Sequence, residues 1–265
     1  MKKFFLTLAC LTSLLLLFSP ALAAPTHEVQ GEFDAKGSLQ GTLVRMLARL
    51  LTPESMTVSF VGGPTEEGKI AGIYIEALGV SAGTPYRLDR LALSGALFQL
   101  APPSQWDPET PKSLLPQKLE GFFNADLRLK EKDVQQAITH FLKESKKKGD
   151  RWSGISLDFR PGKLFARGRY KVNSGMRALF EITTGLELRG GKQIWLVDTN
   201  VKVNDDEQTD AIRSELRKHN PPVDISGFDV PLTLRVLKIT DDALQVSTAT
   251  SPAPLAQGET WLYRK

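Results

Sequence analysis

The side chains best suited to catalysis or metal binding are few and scattered. The sequence has three histidines, His27, His140 and His219, and no two of them share the short spacing of a zinc or iron site. Its only cysteine, Cys10, lies in an apolar N-terminal run, so no cysteine nucleophile or thiolate ligand is expected. The sequence therefore predicts no metal site and no cofactor.

Paired carboxylates are the remaining candidates, because two acidic side chains can share acid and base work when burial separates their pKa values. Three such pairs occur: Glu66-Glu67, Asp205-Asp206 and Asp241-Asp242. All three fall in predicted turns or caps, where acidic side chains have a structural role. We therefore predict that the protein is not an enzyme. An enzyme would need a buried carboxylate or serine beside a strained turn.

The N-terminus has the features of an export signal. Lys2 and Lys3 precede an apolar run from Phe4 to Phe18, and Ala21-Leu22-Ala23 supplies the small residues of a cleavage site. A membrane anchor is the alternative, but it needs about 20 continuous apolar residues and Ser19-Pro20 interrupts the run. Residues 1–23 are predicted to be a signal peptide cleaved after Ala23, and the protein is predicted to be periplasmic or in the cell envelope.

Positive charge is concentrated in one segment. The chain carries 34 basic and 30 acidic residues, and the segment from Lys143 to Lys171 holds ten basic but only three acidic ones. For an exported protein this zone favours anionic lipid headgroups or envelope polymers over nucleic acid. The candidates for contact with headgroups or a membrane surface are Lys146, Lys147, Lys148, Arg151, Arg167 and Arg169. Two structural explanations stay open, a solvated helix end and charged strands that discourage aggregation.

The secondary structure that the sequence predicts is clearest from Leu119 to Leu142. Apolar or small residues alternate from Leu119 to Leu129, which predicts a half-buried strand, and the spacing becomes three and four from Asp133, which predicts an amphipathic helix. Apolar residues also alternate from Met176 to Leu188, which predicts a second long strand. The candidate lining of a lipid groove, drawn from this helix and that strand, is Val134, Ile138, Phe141, Leu142, Phe180, Ile182 and Leu186. The same residue types also make an ordinary core, and the sequence does not distinguish the two.

The rest of the chain predicts more strands and few helices. A helix is expected from Ser38 to about Leu51, followed by strands adjacent in sequence that pair as antiparallel hairpins. A proline-rich crossing loop is expected at 101–118, with Trp106 packing inward, and a last strand through Trp261 in the C-terminal extension 250–265. Residues 24–265 are predicted to be one α+β domain, a long curved antiparallel sheet wrapped around two or three helices.

Three segments resemble a known family. They are Ala125-Asp126-Leu127-Arg128-Leu129 running into Asp133-Val134, the short helix that ends at Asn220-Pro221, and Phe228-Asp229-Val230-Pro231-Leu232 running into 239–244. In these segments the chain is similar to the LmeA-like phospholipid-binding family of exported bacterial envelope proteins, whose fold is of the tubular lipid-binding type. The resemblance implies an apolar groove for phospholipid acyl chains and no catalytic residue. The proline-rich loop and the C-terminal extension depart from the family pattern.

Two functions are expected from these observations. The first is a non-enzymatic lipid-binding protein of the envelope that holds phospholipid or another anionic lipid, for lipid transfer or envelope maintenance. The second is a structural or assembly factor that binds another envelope protein through a sheet edge or the proline-rich segment.

Overall fold

The computed structural model describes residues 26–29, 37–81, 87–107, 111–147, 151–173, 175–210, 220–226 and 232–265, so the predicted signal peptide lies outside the described residues. The fold is α+β and consists mostly of strands. The first part contains β1 (Thr26–Val29), α1 (Leu39–Leu51), β2 (Ser55–Val61), β3 (Lys69–Val80), β4 (Leu88–Gln99), β5 (Lys118–Lys130) and α2 (Glu131–Lys147). The second contains β6 (Trp152–Arg160), β7 (Lys163–Lys171), β8 (Arg177–Arg189), β9 (Gln193–Val203), β10 (Asp206–Glu207), β11 (Val223–Asp224), β12 (Leu234–Ile239), β13 (Ala243–Thr248) and β14 (Glu259–Arg264). In the described part, no helix is both long and apolar enough to span a bilayer.

These strands form two sheets, and not the one continuous sheet that the sequence predicted. The larger sheet has the order β1-β14-β2-β3-β4-β5-β13-β12, and the smaller has the order β10-β9-β8-β7-β6 with β11 beside β9. The chain passes from the larger sheet to the smaller one through α2. β5 of the larger sheet ends at Lys130, and β6, the first strand after α2, pairs with β7 in the smaller sheet. Apart from β1, which runs parallel to β14, the described pairings are antiparallel, as expected.

The two sheets meet along β12. The Leu234 N–H donates to the Gly191 carbonyl at 2.8 Å, and the Gly162 N–H donates to the Ile239 carbonyl at 3.2 Å. Beside these bonds, Ile194 of the smaller sheet packs with Leu234 and Val246 of the larger one. The contact joins the halves of the chain through a small apolar core.

Helix α1 follows the sequence prediction closely. The Ser38 hydroxyl accepts a hydrogen bond from the Gly41 N–H at 3.1 Å, which caps the first turn. Thr52, in the left-handed conformation, ends the helix just before Pro53. Its buried face, including Leu43 and Met46, packs into the main core against the larger sheet.

The proline-rich segment folds as two short 3₁₀ turns, Pro103–Gln105 and Pro111–Leu114. Trp106 is buried in the main core, as expected, and its indole N–H donates to the Ala101 carbonyl at 2.8 Å. The segment therefore contributes to the core while it connects β4 to β5.

The opposite face of the larger sheet carries a polar row that crosses β3, β4, β5 and β13. The Arg90 guanidinium lies 2.6 Å from Glu76 Oε1 and 3.3 Å from Asp126 Oδ2, and the Gln245 amide donates to both oxygens of Asp126. Tyr74 lies beside this row and is 3% exposed. Burial, followed by the Glu76 carboxylate, raises the pKa of Tyr74 above its usual value.

This arrangement predicts a loss of stability in alkali. The folded state favours the neutral phenol. The stability that the neutral phenol contributes is complete below the pKa of the unfolded state, about 10, and is lost as pH rises through the raised pKa of the folded state. We expect the free energy of unfolding to fall above pH of about 10 by up to about 1.4 kcal/mol per unit. Urea titrations at increasing pH should show a smaller slope for Tyr74→Phe. Tyr263→Phe, which removes a phenol outside the polar row, is the control for the loss of a hydroxyl. Equal slopes in Tyr74→Phe and the parent protein would contradict the assignment.

Candidate functional site

An apolar cavity of about 170 Å³ lies between α1 and the larger sheet. Its walls include Leu43 and Leu47 from the helix and Ile75, Leu93 and Phe123 from neighbouring strands. The strand residues share a face because Ile75 pairs with Leu93 across β3 and β4 and alternate residues point to the same side. The space is therefore a gap inside the apolar layer that the sequence patterning predicts.

Gly95 determines how the aromatic wall of this cavity is placed. A Cβ on Gly95 would lie 2.4 Å from Cε1 of Phe123, so the ring occupies the space that a side chain would take. Phe123 in turn packs at a tilt against Phe98, with ring centroids 4.8 Å apart. A side chain at position 95 would therefore displace the ring of Phe123, which lines the cavity together with Phe98.

A second cavity, of about 230 Å³, lies on the smaller sheet. Ala166 pairs with Ile182 and Gly168 pairs with Phe180 across β7 and β8, and all four line the space together with Ile155. Small residues on one strand opposite large residues on the next leave room that a uniform row of large side chains would fill.

The groove residues that the sequence predicted are therefore distributed over several places. Phe180 and Ile182 line the second cavity, whereas Leu186 packs with the small core where the two sheets meet. Val134 and Ile138 are half-buried on α2. Phe141 and Leu142 belong to the same helix, but their side chains lie outside the described residues.

Helix α2 docks through two polar side chains that the sequence analysis did not single out. The Gln135 amide accepts from the Leu157 N–H at 2.8 Å and donates to the Ile155 carbonyl at 2.9 Å, as a neighbouring strand would. One turn earlier, the Glu131 carboxylate accepts from the Phe159 N–H at 2.5 Å. β6 is the edge of its sheet, so these side chains satisfy backbone groups that would otherwise be open to another strand. The sequence signal is only that the two residues stand four apart.

Three of the predicted headgroup residues, Arg151, Arg167 and Arg169, lie on or near the smaller sheet. Arg167 and Arg169 are exposed on β7, and strand alternation places them on the opposite face from Ala166 and Gly168. Arg167 is also among the residues that line the second cavity. Arg151 is exposed just before β6. Lys146 and Lys147 end α2, although their side chains are not described, and Lys148 lies outside the described residues. Among the described residues, no carboxylate lies within 4 Å of Arg151, Arg167 or Arg169.

A larger, polar cavity of about 700 Å³ lies beside β9 of the smaller sheet. Two of its three charged groups are paired with each other, since the Arg189 guanidinium lies over the Trp195 ring at 4.5 Å and bonds Glu187 at 2.7 Å. The third, Asp198, is exposed. The hydrogen bond from Arg189 lowers the pKa of Glu187. Asn220 bonds both backbone groups of Leu196 through its side-chain amide. These contacts give the cavity walls a structural role.

Two of the residues considered for catalysis or metal binding, His27 and Asp242, take part in local structure, and His219 lies outside the described residues. His27 stacks on Trp261 with ring centroids 4.4 Å apart, and the Asp242 carboxylate accepts from the Thr240 hydroxyl at 2.9 Å and from Arg128 at 3.0 Å. The Thr240 hydroxyl is the main cause of the lowered pKa of Asp242. Within the described ranges, no three histidine, cysteine, aspartate or glutamate side chains gather as a metal site.

Comparisons with protein-family models, with curated proteins and with solved structures find no match to this chain. The resemblance to the LmeA-like family therefore remains a prediction from the sequence. Any functional conclusion depends on the cavities and the charged surface described above.

Proposed function

We propose that the protein is an exported, non-enzymatic lipid-binding protein that holds acyl chains in its apolar interior. The observation that carries the proposal is the apolar cavity between α1 and the larger sheet, with the cavity on the smaller sheet as a second candidate. Phospholipid is the proposed ligand, and lipid transfer or envelope maintenance is the proposed role. The tubular lipid-binding character of the fold is part of the same proposal.

The size of the first cavity limits what it holds. An engineered apolar cavity of about 150 Å³ binds benzene, so 170 Å³ suits about six carbons at the end of one acyl chain. Burying six methylenes contributes about 5 kcal/mol before the losses of association. The remainder of the chain needs apolar surface outside the cavity, so the site suits a lipid that is held partly and exchanged readily.

The alternative, an assembly factor that binds another envelope protein, has less support. It was expected to use a sheet edge or the proline-rich segment, but Gln135 and Glu131 already bond the edge of β6. Trp106 of the proline-rich segment is buried in the core. The β6 edge and Trp106 are therefore engaged within the chain, whereas β1 and β10 also end their sheets.

Filling the cavities tests the proposal. Leu47→Trp narrows the first cavity, and its control, Leu50→Trp, makes the same change at a half-buried position of α1 outside the lining. Ala166→Leu fills the second, and Thr183→Leu is its control on the opposite face of the sheet. If the new side chain excludes two methylenes of the acyl chain from a cavity, binding of the lipid weakens by about 1.6 kcal/mol, or roughly tenfold.

The measurement is native mass spectrometry of protein purified from a diderm bacterial host. We expect bound phospholipid in the parent protein and in both controls, and a loss of most of it in one of the filled variants, which identifies the cavity used. A parent protein that carries no lipid and extracts none from vesicles would reject the proposal. Equal lipid in all variants would reject both cavities as the site.

A further inference from the structure

The hairpin formed by β7 and β8 carries two exposed apolar side chains beside its turn, Val172 and Met176. Val172 and Met176 close the hairpin, with the Val172 N–H donating to the Met176 carbonyl at 2.9 Å. The Asn173 side chain accepts from the Gly175 and Met176 N–H groups at 3.0 and 2.9 Å, which holds the turn in place. Val172 is nevertheless 40% exposed and Met176 52% exposed. Two large apolar side chains thus lie at the surface on a well-bonded turn.

Cations surround this tip. Lys171 and Arg177 form the last paired positions of the hairpin, and Arg169 lies on the same strand face two residues before Lys171. Arg151 is held beside them, because its carbonyl accepts from the Lys171 N–H at 2.9 Å and its guanidinium donates to the Val172 carbonyl at 3.4 Å. All four cations are exposed, and in the described part of the chain no carboxylate lies within 4 Å of any of them.

Two further features affect the charge at this end of the sheet. Asp205 and Asp206 follow Asn204, which bonds to Leu179 near the hairpin, and Asp150 directly precedes Arg151 in the sequence, so three acidic residues count against the four cations. Helix α2 ends at Lys147, four residues before Arg151, which places the basic helix end within about 14 Å of Arg151. The end of the sheet therefore keeps an excess of positive charge.

We propose that this tip is the surface by which the protein contacts an anionic phospholipid bilayer, with Val172 and Met176 inserted among the headgroups and the four cations against the lipid phosphates. Positive charge alone would suit any polyanion. A bilayer interface also accepts apolar side chains, which a soluble polyanion does not. The inference rests on the proposed function, because an interior lipid must be exchanged with a membrane.

The test is flotation of the full-length mature protein with vesicles of phosphatidylcholine, with and without phosphatidylglycerol. Each basic residue at an anionic surface changes partition about fivefold, so the double variant Lys171→Gln/Arg177→Gln should bind the anionic vesicles about 25-fold more weakly. Val172→Ser/Met176→Ser should bind about tenfold more weakly and lose the binding that persists at high salt. The control Val236→Ser/Lys238→Gln changes an exposed valine and an exposed lysine on β12 and should bind as the parent does.

Three results would overturn the inference. They are equal binding to both vesicle types, no binding by the parent protein, and hairpin variants that bind as the control does. Heparin serves as the polymer probe, and weaker heparin binding by the charge variant without any vesicle effect of Val172→Ser/Met176→Ser would assign the surface to a soluble polyanion instead. The interior site is tested by the lipid that the parent protein carries through purification. A parent protein that carries lipid while the hairpin variants bind vesicles as the control does would therefore reject this inference alone.

Discussion

Gly258→Ala is expected to lower the free energy of unfolding by roughly 3 kcal/mol or more. Gly258 has a φ of +119°, and a Cβ there would lie 1.9 Å from the Phe60 carbonyl oxygen in β2. The next residue, Glu259, pairs with Phe60, so alanine would have to displace β14 from β2. Backbone strain of this kind destabilises a fold by about 1–3 kcal/mol, and lost packing of Trp261 and Tyr263 adds to it.

Thermal unfolding provides the measurement. For a domain of this size, a loss of 3 kcal/mol corresponds to a fall in Tm of roughly 6–12 °C. Gly162→Ala is the matched control, because Gly162 also has a positive φ, +74°, but nothing lies within 4 Å of the added methyl. Gly162→Ala should lower the free energy of unfolding by only about 1 kcal/mol. Equal losses in the two variants would show that the contact with Phe60 is unimportant.

Gln135→Leu is expected to destabilise the protein by about 2–4 kcal/mol and to make it self-associate. Leucine leaves the Ile155 carbonyl and the Leu157 N–H of β6 without their partner, and each unsatisfied group costs about 1–3 kcal/mol. The freed edge then becomes available to a strand of another molecule. Gln135→Glu should also destabilise, because it keeps the acceptor but replaces the donor to Ile155 with an oxygen.

Urea unfolding and light scattering after size-exclusion chromatography measure the two effects. Gln136→Leu is the control, since it makes the same change at the next position, which is exposed. The control should unfold within about 0.5 kcal/mol of the parent, as surface substitutions do. If Gln135→Leu stays monomeric and unfolds at the same urea concentration as Gln136→Leu, the docking of α2 does not depend on this amide.

The candidate site was only partly predictable. The alternation around residues 176–188 correctly placed Phe180 and Ile182 on one face, and they line a cavity because Gly168 and Ala166 stand opposite them on the next strand. The same reasoning did not identify the cavity under α1. Its outline depends on the Phe123 ring lying over Gly95 from the neighbouring strand.

Local pattern determined much of the architecture. Alternation predicted the strands, the switch of spacing at Asp133 predicted α2, and Ser38 predicted the start of α1, because burial on one face and end-capping depend on residues near in sequence. The separation into two sheets, the place of β14 between β1 and β2, and the bonds from Gln135 to β6 were decided only by the tertiary structure. These features join residues far apart in the chain, and whether an apolar face is filled or left open depends on which side chains stand opposite it.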